Sequence, residues 1–397
     1  MAKGQIMKIA IVHPWFLAGG GAEQTVNALA AIFPDAVFFT MLYTEDGLPS
    51  NLRHRTIHAS SWNRIPFKYQ VYRYLLPLYP LGFESLDLRG YDVVLTSDSN
   101  LMKGVLIDQN AIHICYCHSP MRCLWDLRHE YLASMPAWIR PIFRFGVHYV
   151  RQWDFSAAQR VDAFIANSEN VAERIQTYYR RSSTVVYPPV DTHNGFLNNE
   201  IDDYYLSVGR IVDFKRIDLL IQVCNELKRN LVIVGTGRDE KKLRSMAGPT
   251  IRFAGRASSE DLHTLYSRCR AFLFAADEDF GIVPVEAQSF GRPVIAYGKG
   301  GTLETVIDPS NTLNRVPTGI HFFEQTTASL KAAMLRFEAL ENSFDPKLIR
   351  LHAQKFDTAN FAKHMKHLVK NVVRAKRAKP PAGNATKYYE EIRDLVS

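Results

Sequence analysis

Phe274-Ala-Ala-Asp-Glu-Asp-Phe-Gly-Ile-Val-Pro-Val-Glu-Ala-Gln-Ser-Phe-Gly-Arg-Pro-Val-Ile295 leaves a buried apolar run, crosses an acidic turn and enters a helix. Residues 271–275 read as a strand, 283–290 as a short helix, and Asp279-Phe-Gly-Ile282 as the turn whose backbone N–H groups point at whatever docks at the helix start. Two carboxylates flank that turn, Glu278 before the helix and Glu286 in its first turn. Carboxylates accept hydrogen bonds from hydroxyl-rich ligands and N–H groups bind diphosphates, so one segment can hold both ends of a ligand that carries both. Taken alone, a solvated loop acid at Glu278 and a dipole-favoured acid at Glu286 account for these residues equally well.

The same alternation runs outward in both directions. On the N-terminal side, strands are expected at 9–12, 36–40, 93–95, 111–115 and 163–166, with a helix at 22–33. A second series begins at 204–208 and continues through 231–234, 251–253, 271–274 and 294–296, each followed by a helix-compatible stretch. Short apolar strands alternating with helices make parallel, doubly wound sheets, so the chain reads as α/β with two Rossmann-like domains. Pro188-Pro-Val-Asp-Thr-His-Asn-Gly-Phe-Leu-Asn-Asn-Glu-Ile-Asp-Asp203, polar and rich in turn residues, reads as the connection between them. In such sheets ligands sit beyond the carboxyl ends of the strands, where the acidic turn lies.

A chain of 397 residues, 47% hydrophobic, can bury the cores of two domains. Five cysteines, at 115, 117, 123, 224 and 269, form no secreted framework and suggest reduced thiols in a cytoplasmic protein. Cys115, Cys117, His118 and Cys123 have metal-ligand chemistry, but Ala111-Ile-His-Ile-Cys-Tyr-Cys117 reads as a buried strand in which Cys115 and Cys117 are small hydrophobes, so no metal site is expected. Residues 6–18 read as a first strand and not as a signal peptide, because Lys8 and His13 interrupt the run and glycines follow it. No apolar stretch reaches the roughly 18 residues that a spanning helix needs, so any membrane association is expected to be peripheral. The formal charge of +8 is concentrated at the end of the chain: residues 1–361 hold 39 Lys and Arg against 37 Asp and Glu, and residues 362–397 hold 9 against 3. That distribution argues against a nucleic-acid partner, whose binding surface would be basic along a groove.

The acidic segment resembles the E-x7-E motif of the retaining family-4 glycosyltransferases. The likeness extends, in the family's order, through Lys8-Ile-Ala-Ile-Val-His13, Gly19-Gly-Gly-Ala-Glu23, Tyr116-Cys-His-Ser-Pro-Met-Arg122, Ala166-Asn-Ser168, Tyr187-Pro-Pro-Val-Asp191, Ser207-Val-Gly-Arg210 with Lys215, and Gly300-Gly-Thr302. Within the family, Tyr-Cys-His-Ser-Pro with Trp153-Asp154 and Tyr187-Pro-Pro-Val-Asp191 is most similar to bacterial mannosyltransferases of surface polysaccharides. The resemblance implies the GT-B architecture, two Rossmann-like domains facing a cleft: an acceptor-side domain over 1–190, a nucleotide-sugar domain over 191–358, and a helical tail over 359–397 that crosses back to the first domain.

The resemblance also implies roles. Gly20 and Gly21 lie where backbone N–H groups approach the donor pyrophosphate, although a tight turn alone would also want glycine. Glu23 borders the acceptor, or serves only the dipole of its helix. Arg210 and Lys215 would stabilise the charge that develops on a departing nucleoside diphosphate, so no divalent ion and no cofactor are required. Glu286 would accept from ribose hydroxyls. Glu278 would lie near the sugar, and the backbone of Asp279, Phe280, Gly281, Ile282 and Val283 would bind its hydroxyls. His118 is placed against the donor sugar, and Phe253 where the base lies. Asn167 and Ser168 match a further motif, although a helix cap explains Ser168 equally well.

The expected activity is transfer of a hexose, mannose from GDP-mannose, to a lipid-linked glycan acceptor in polysaccharide or O-antigen biosynthesis. The alternatives are a UDP-hexose donor or a nucleotide-sugar 2-epimerase on the same fold. The place of action is the inner face of the cytoplasmic membrane. From residue 360 onward, Phe361, Met365, Leu368, Val369 and Val372 share one helical face, and Lys363, Lys366, Lys370, Arg374 and Arg377 another. The apolar stripe is expected to pack on the first domain, leaving the cationic face, with Lys376 and Lys379, for an anionic membrane surface. Arg64, Lys68 and Arg73, among Trp62, Phe67, Tyr69, Tyr72 and Tyr74, form a second candidate contact whose aromatics core packing explains almost as well.

Overall fold

A computed structural model describes residues 7–17, 20–66, 72–133, 135–311 and 316–378. The chain divides into two units, Met1–Tyr187 with Phe361–Ser397, and Pro188–Asn360. The first contains β1 Ile9–Phe16, α1 Gly21–Ile32, β2 Val37–Tyr43, β3 Ile57–Ala59, α2 Tyr79–Glu84, β4 Val93–Asp98, β5 Ile112–Cys117, α3 Arg128–Ala133, α4 Arg140–Gln159, β6 Ala163–Ala166, α5 Glu169–Tyr179 and β7 Ser183–Val185. Its seven strands form one parallel sheet in the order β3-β2-β1-β4-β5-β6-β7. Every residue of β4 and β5 is buried, as strands covered on both faces require. Side chains alternate across β1: Ile9 and Ile11 enter one core with α1, and Ala10 and Val12 enter the other.

The second unit repeats the plan. It contains β8 Tyr205–Val208, α6 Ile217–Leu227, β9 Leu231–Val234, α7 Glu240–Met246, β10 Ile251–Gly255, α8 Ser259–Arg268, β11 Ala271–Phe274, α9 Ile282–Ser289, β12 Val294–Tyr297, α10 Thr302–Thr305, β13 Gly319–Phe322, α11 Thr327–Leu340 and α12 Pro346–Ala353. Its parallel sheet has the order β10-β9-β8-β11-β12-β13. Ala271 and Leu273 face one helical layer, and Phe272 and Phe274 the other.

The last described helix, α13 Thr358–Arg377, belongs to the first unit from Phe361 onward. Phe361, Met365, Leu368, Val369, Val372 and Val373 are buried in the core that holds Ile9, Ile11 and Val26. The cationic face is less free than the sequence suggests, because two of its members meet acids of the same unit: Lys376 binds Asp162, and Arg377 lies 3.2 Å from Asp92. Lys363, Lys366, Lys370 and Arg374 are exposed. Of the second candidate contact, Phe67, Lys68 and Tyr69 lie outside the described residues, as does Lys379 of the tail, and Trp62 packs edge-on against Tyr79.

Within the first unit an ion cluster is fully enclosed. Lys103 Nζ lies 3.0 Å from Asp98 and 2.5 Å from Asp154, with no side-chain surface exposed on any of the three. Trp125 Nε1 and the Tyr179 hydroxyl each donate to Asp154 at 2.9 Å. Burial opposes the charge on Lys103, but Asp154 and Asp98 outweigh it and hold its pKa well above the ordinary value. Charges this deep persist only when paired and hydrogen-bonded, so this cluster fixes α4 and α5 against the sheet.

Candidate active site

In a doubly wound sheet, the loops after the two strands where the winding reverses diverge and leave a ligand crevice. In the second unit those strands are β8 and β11. After β8 come Arg210 and the 3-10 turn Asp213–Lys215; after β11 comes the acidic loop. The Lys215 ammonium bonds the Glu278 carboxylate directly across that gap, with side-chain exposures of 14% and 25% that leave both reachable. Lys215 also lies 5.5 Å from the Phe274 ring centroid, which limits its wandering. Arg210 is exposed, and among the described residues it makes no ion pair. Arg216 takes a left-handed conformation at the start of α6 and pairs with Asp218 at 3.2 Å, so it is committed to its own helix.

The acidic loop is held by its neighbours. Gly301 N donates to the Glu278 carbonyl at 2.9 Å, and Lys299 reaches Asp277 at 3.1 Å. A Cβ on Gly301 would lie 2.2 Å from Phe280 Cα, so only glycine allows the two loops to touch. Gly281, at φ +86°, turns the chain into α9, and no side chain caps that helix. The first-turn N–H groups of Ile282 and Val283 therefore face outward, whereas Pro284 has none to offer.

Glu286 corrects the sequence reading. The helix begins at Ile282, which puts Glu286 in its second turn, beyond the reach of the N-terminal partial charge. Its Oε2 instead accepts from the Tyr266 hydroxyl at 3.0 Å, and burial raises its carboxyl above the usual range. Phe253 is not brought to this crevice: it sits on the edge strand β10 beneath the Arg244 guanidinium, 4.5 Å from the ring centroid, and packs into the core.

The first unit has its own reversal, between β1 and β4. Gly20, in extended conformation, precedes α1, and Gly21 is its first residue. Glu23 lies in that first turn, with Oε2 3.0 Å from where a Cβ on Gly20 would sit, so the acid covers the helix start. Gly19 lies outside the described residues.

A chain of polar groups crosses the same reversal. His13 Nδ1 lies 3.1 Å from Ser97 Oγ, and Ser97 Oγ lies 2.8 Å from His118 Nε2. Burial lowers His13 to about 3 and His118 to about 4, so both rings are neutral at physiological pH. A serine hydroxyl has one proton to give, so Ser97 donates to at most one of the two rings and at least one ring donates to it, which couples the His13 and His118 tautomers. The sequence reading named His118 and missed both partners. The available signal was His13 itself, a polar residue inside the strand Ile-Ala-Ile-Val-His-Pro-Trp-Phe.

Ser168 caps α5 by accepting from Val171 N at 3.2 Å and donates to Asn167 Oδ1 at 2.9 Å. The cysteines are core residues, with burial raising Cys224 and Cys269 to about 12. Among the described residues, no group of three or more His, Cys, Asp or Glu side chains is placed to hold a metal ion.

Two parallel α/β units, of seven and six strands, define the GT-B class of glycosyltransferase fold. A model of Glycosyltransferase Family 4 matches residues 19–194, and one described as Glycosyl transferases group 1 matches residues 191–350. The two cover both units in succession, and the chain belongs to these glycosyltransferases. It is 23% identical to the alpha-1,3/1,6-mannosyltransferase ALG2 of Candida glabrata, over 92% of this chain and 94% of that one. It is 28% identical to the O-antigen chain mannosyltransferase C of Escherichia coli, over 34% of this chain and 42% of that one. Among solved structures, Alr3699/HepE of Anabaena, determined in complex with UDP, superposes with a TM-score of 0.68 at 15% identity, over 92% of this chain and 100% of that one.

Proposed function

We propose that the protein is a retaining mannosyltransferase that moves mannose from GDP-mannose to a lipid-linked glycan at an anionic membrane surface. The observation that carries the reading is the Lys215–Glu278 pair across the β8/β11 reversal, with Arg210 exposed beside it and Glu286 on the following helix. The likeness to ALG2 and to the O-antigen chain mannosyltransferase supports mannose as the sugar and a glycan as the acceptor.

The chemistry follows from the charges. As the anomeric C–O bond of the donor breaks, negative charge grows on the diphosphate, and Lys215 and Arg210 stabilise it more strongly than in the ground state. The acceptor hydroxyl attacks the anomeric carbon from the face the diphosphate leaves, and its proton passes to a diphosphate oxygen, so no protein nucleophile is needed. Glu278 holds Lys215 in place and accepts from sugar hydroxyls, and Glu286 accepts from the ribose. No metal ion or cofactor enters this scheme.

The test is a donor screen of the purified protein with a synthetic lipid-linked acceptor. GDP-mannose is expected to give a mannosylated product with retained anomeric configuration. Product from a UDP-hexose alone overturns the donor assignment; conversion of the donor without acceptor indicates an epimerase; no turnover with any nucleotide sugar overturns the reading.

A further inference from the structure

Helix α4, Arg140–Gln159, presents three stripes where a helix packed on a sheet normally has two. Phe143, Val147, Val150 and Asp154 face inward and are buried. On the outward side, Trp138 just before the helix and Ile142, Phe145 and Tyr149 within it recur at helical spacing, with 78, 66, 75 and 49% of their surfaces exposed. Beside them runs a basic stripe of Arg140, Arg144, His148 and Arg151. Together with Arg128 and His129 of α3, this stripe lines a groove of about 730 Å³. Scattered exposed hydrophobics need no explanation, but four large ones in register along one helix and the turn that leads into it do.

The charges are as telling as the apolar row. Residues 127–152 contain four arginines and one carboxylate, Glu130. Among the described residues none of the four arginines makes an ion pair. Arg128 and Arg151 lean instead on His129 and His148, at 3.2 and 3.3 Å, and Arg140 donates to the carbonyls of Met135 and Ala133. By contrast Arg122, a few residues earlier, pairs with Asp126 at 3.0 Å. The region thus keeps an unneutralised cationic row parallel to an unburied apolar one.

We infer that this face of α4 is where the protein docks on an anionic phospholipid surface, with Trp138, Ile142 and Phe145 in the acyl boundary and Arg144, Arg151 and Arg128 at the phosphates. Parallel apolar and basic rows on one helix are the pattern of a helix lying in the plane of an interface. A two-fold pairing with a second copy would set this cationic row against itself without acids to offset it. A single-stranded nucleic acid would use stacking aromatics, and Ile142 offers no π-face. The inference deepens the membrane reading of the proposed function by moving the contact from the tail, where Lys376 and Arg377 are already engaged with Asp162 and Asp92, to α4.

The test is cosedimentation of the full chain with vesicles of phosphatidylglycerol and, separately, of phosphatidylcholine. The wild type is expected to pellet with the first and not the second. Arg144→Gln with Arg151→Gln should weaken binding by about fivefold per arginine. Ile142→Ser with Phe145→Ser should abolish it at all salt concentrations. Lys366→Gln with Lys370→Gln should leave it unchanged. All these side chains lie outside the core, so thermal melting and sugar transfer to a short water-soluble acceptor should match wild type, which keeps the outcome separate from that of the sugar-transfer reading. The inference is overturned if wild type fails to pellet on phosphatidylglycerol, if the Ile142/Phe145 variant pellets normally, if only the tail variant loses binding, or if the Ile142/Phe145 change alters only the oligomeric state.

Discussion

At the scale of single residues, the Lys215–Glu278 contact makes a specific demand. If Lys215 stabilises developing charge and Glu278 positions both Lys215 and sugar, Lys215→Ala and Glu278→Ala should each reduce turnover by on the order of 100-fold or more, with far-UV circular dichroism and melting unchanged. Near-wild-type turnover at saturating donor in either variant would remove that residue from the mechanism. The buried histidines make a second demand, on stability. Burial lowers His13 to about 3 and His113 and His118 to about 4, from an ordinary 6.5. Below pH 6.5 the unfolded chain takes up protons that the folded one refuses, so stability is complete above pH 6.5 and falls as pH drops toward 4. Each histidine should steepen that fall by about 1.4 kcal/mol per pH unit. Urea midpoints of wild type and His113→Gln between pH 7 and pH 4.5 check this: among the described residues the His113 ring bonds only Thr96 Oγ1, 3.1 Å away, and its replacement should flatten the slope. An unchanged slope would show that His113 is protonated in the fold.

At the scale of elements, the legible parts are those whose residues carry their own period. Helix α13 was readable because Phe361, Met365, Leu368, Val369 and Val372 fall on one face, and the structure buries each of them. Met365→Ala should therefore cost about 2–5 kcal/mol by urea unfolding, and Lys366→Ala, on the exposed face, less than about 0.5. Ser168 was readable as the cap of α5, and its replacement by alanine should cost about 1 kcal/mol. Strands β3 and β7 were missed because they have three residues each, sit at sheet edges and take their conformation from their neighbours. The active-site residues were readable as types that follow strands, but not as partners. Lys215 meets Glu278, and Ser97 joins His13 to His118, only because β8 adjoins β11 and β4 lies between β1 and β5, and strand order is a tertiary fact. The placement of Glu286 moved from the first turn to the second because α9 begins at Ile282, one residue before the expected start at Val283.

At the scale of the whole molecule, chain order and unit membership disagree. The first unit holds the first 187 residues and takes its last helix from beyond residue 360, with the entire second unit inserted between. That helix adds six buried apolar side chains to the core that also holds Ile9, Ile11, Val26 and Leu29. At about 1.5–3 kcal/mol each, their burial is worth on the order of 10 kcal/mol, which matches the whole stability of an ordinary domain. A fragment of residues 1–187 should therefore be unable to keep its fold. It is expected to bind a hydrophobic dye and to unfold without cooperativity, its exposed Ile9, Val26 and Leu29 face driving aggregation. The fragment 188–360 is different, because its sheet and both its helical layers are drawn from that stretch alone. It should fold by itself and unfold in a single urea transition. Adding residues 361–378 as a separate peptide to the 1–187 fragment should restore cooperative unfolding in proportion to peptide concentration, since binding to the folded form alone stabilises by mass action. A cooperative transition for 1–187 without the peptide would show that α13 is dispensable to the first core.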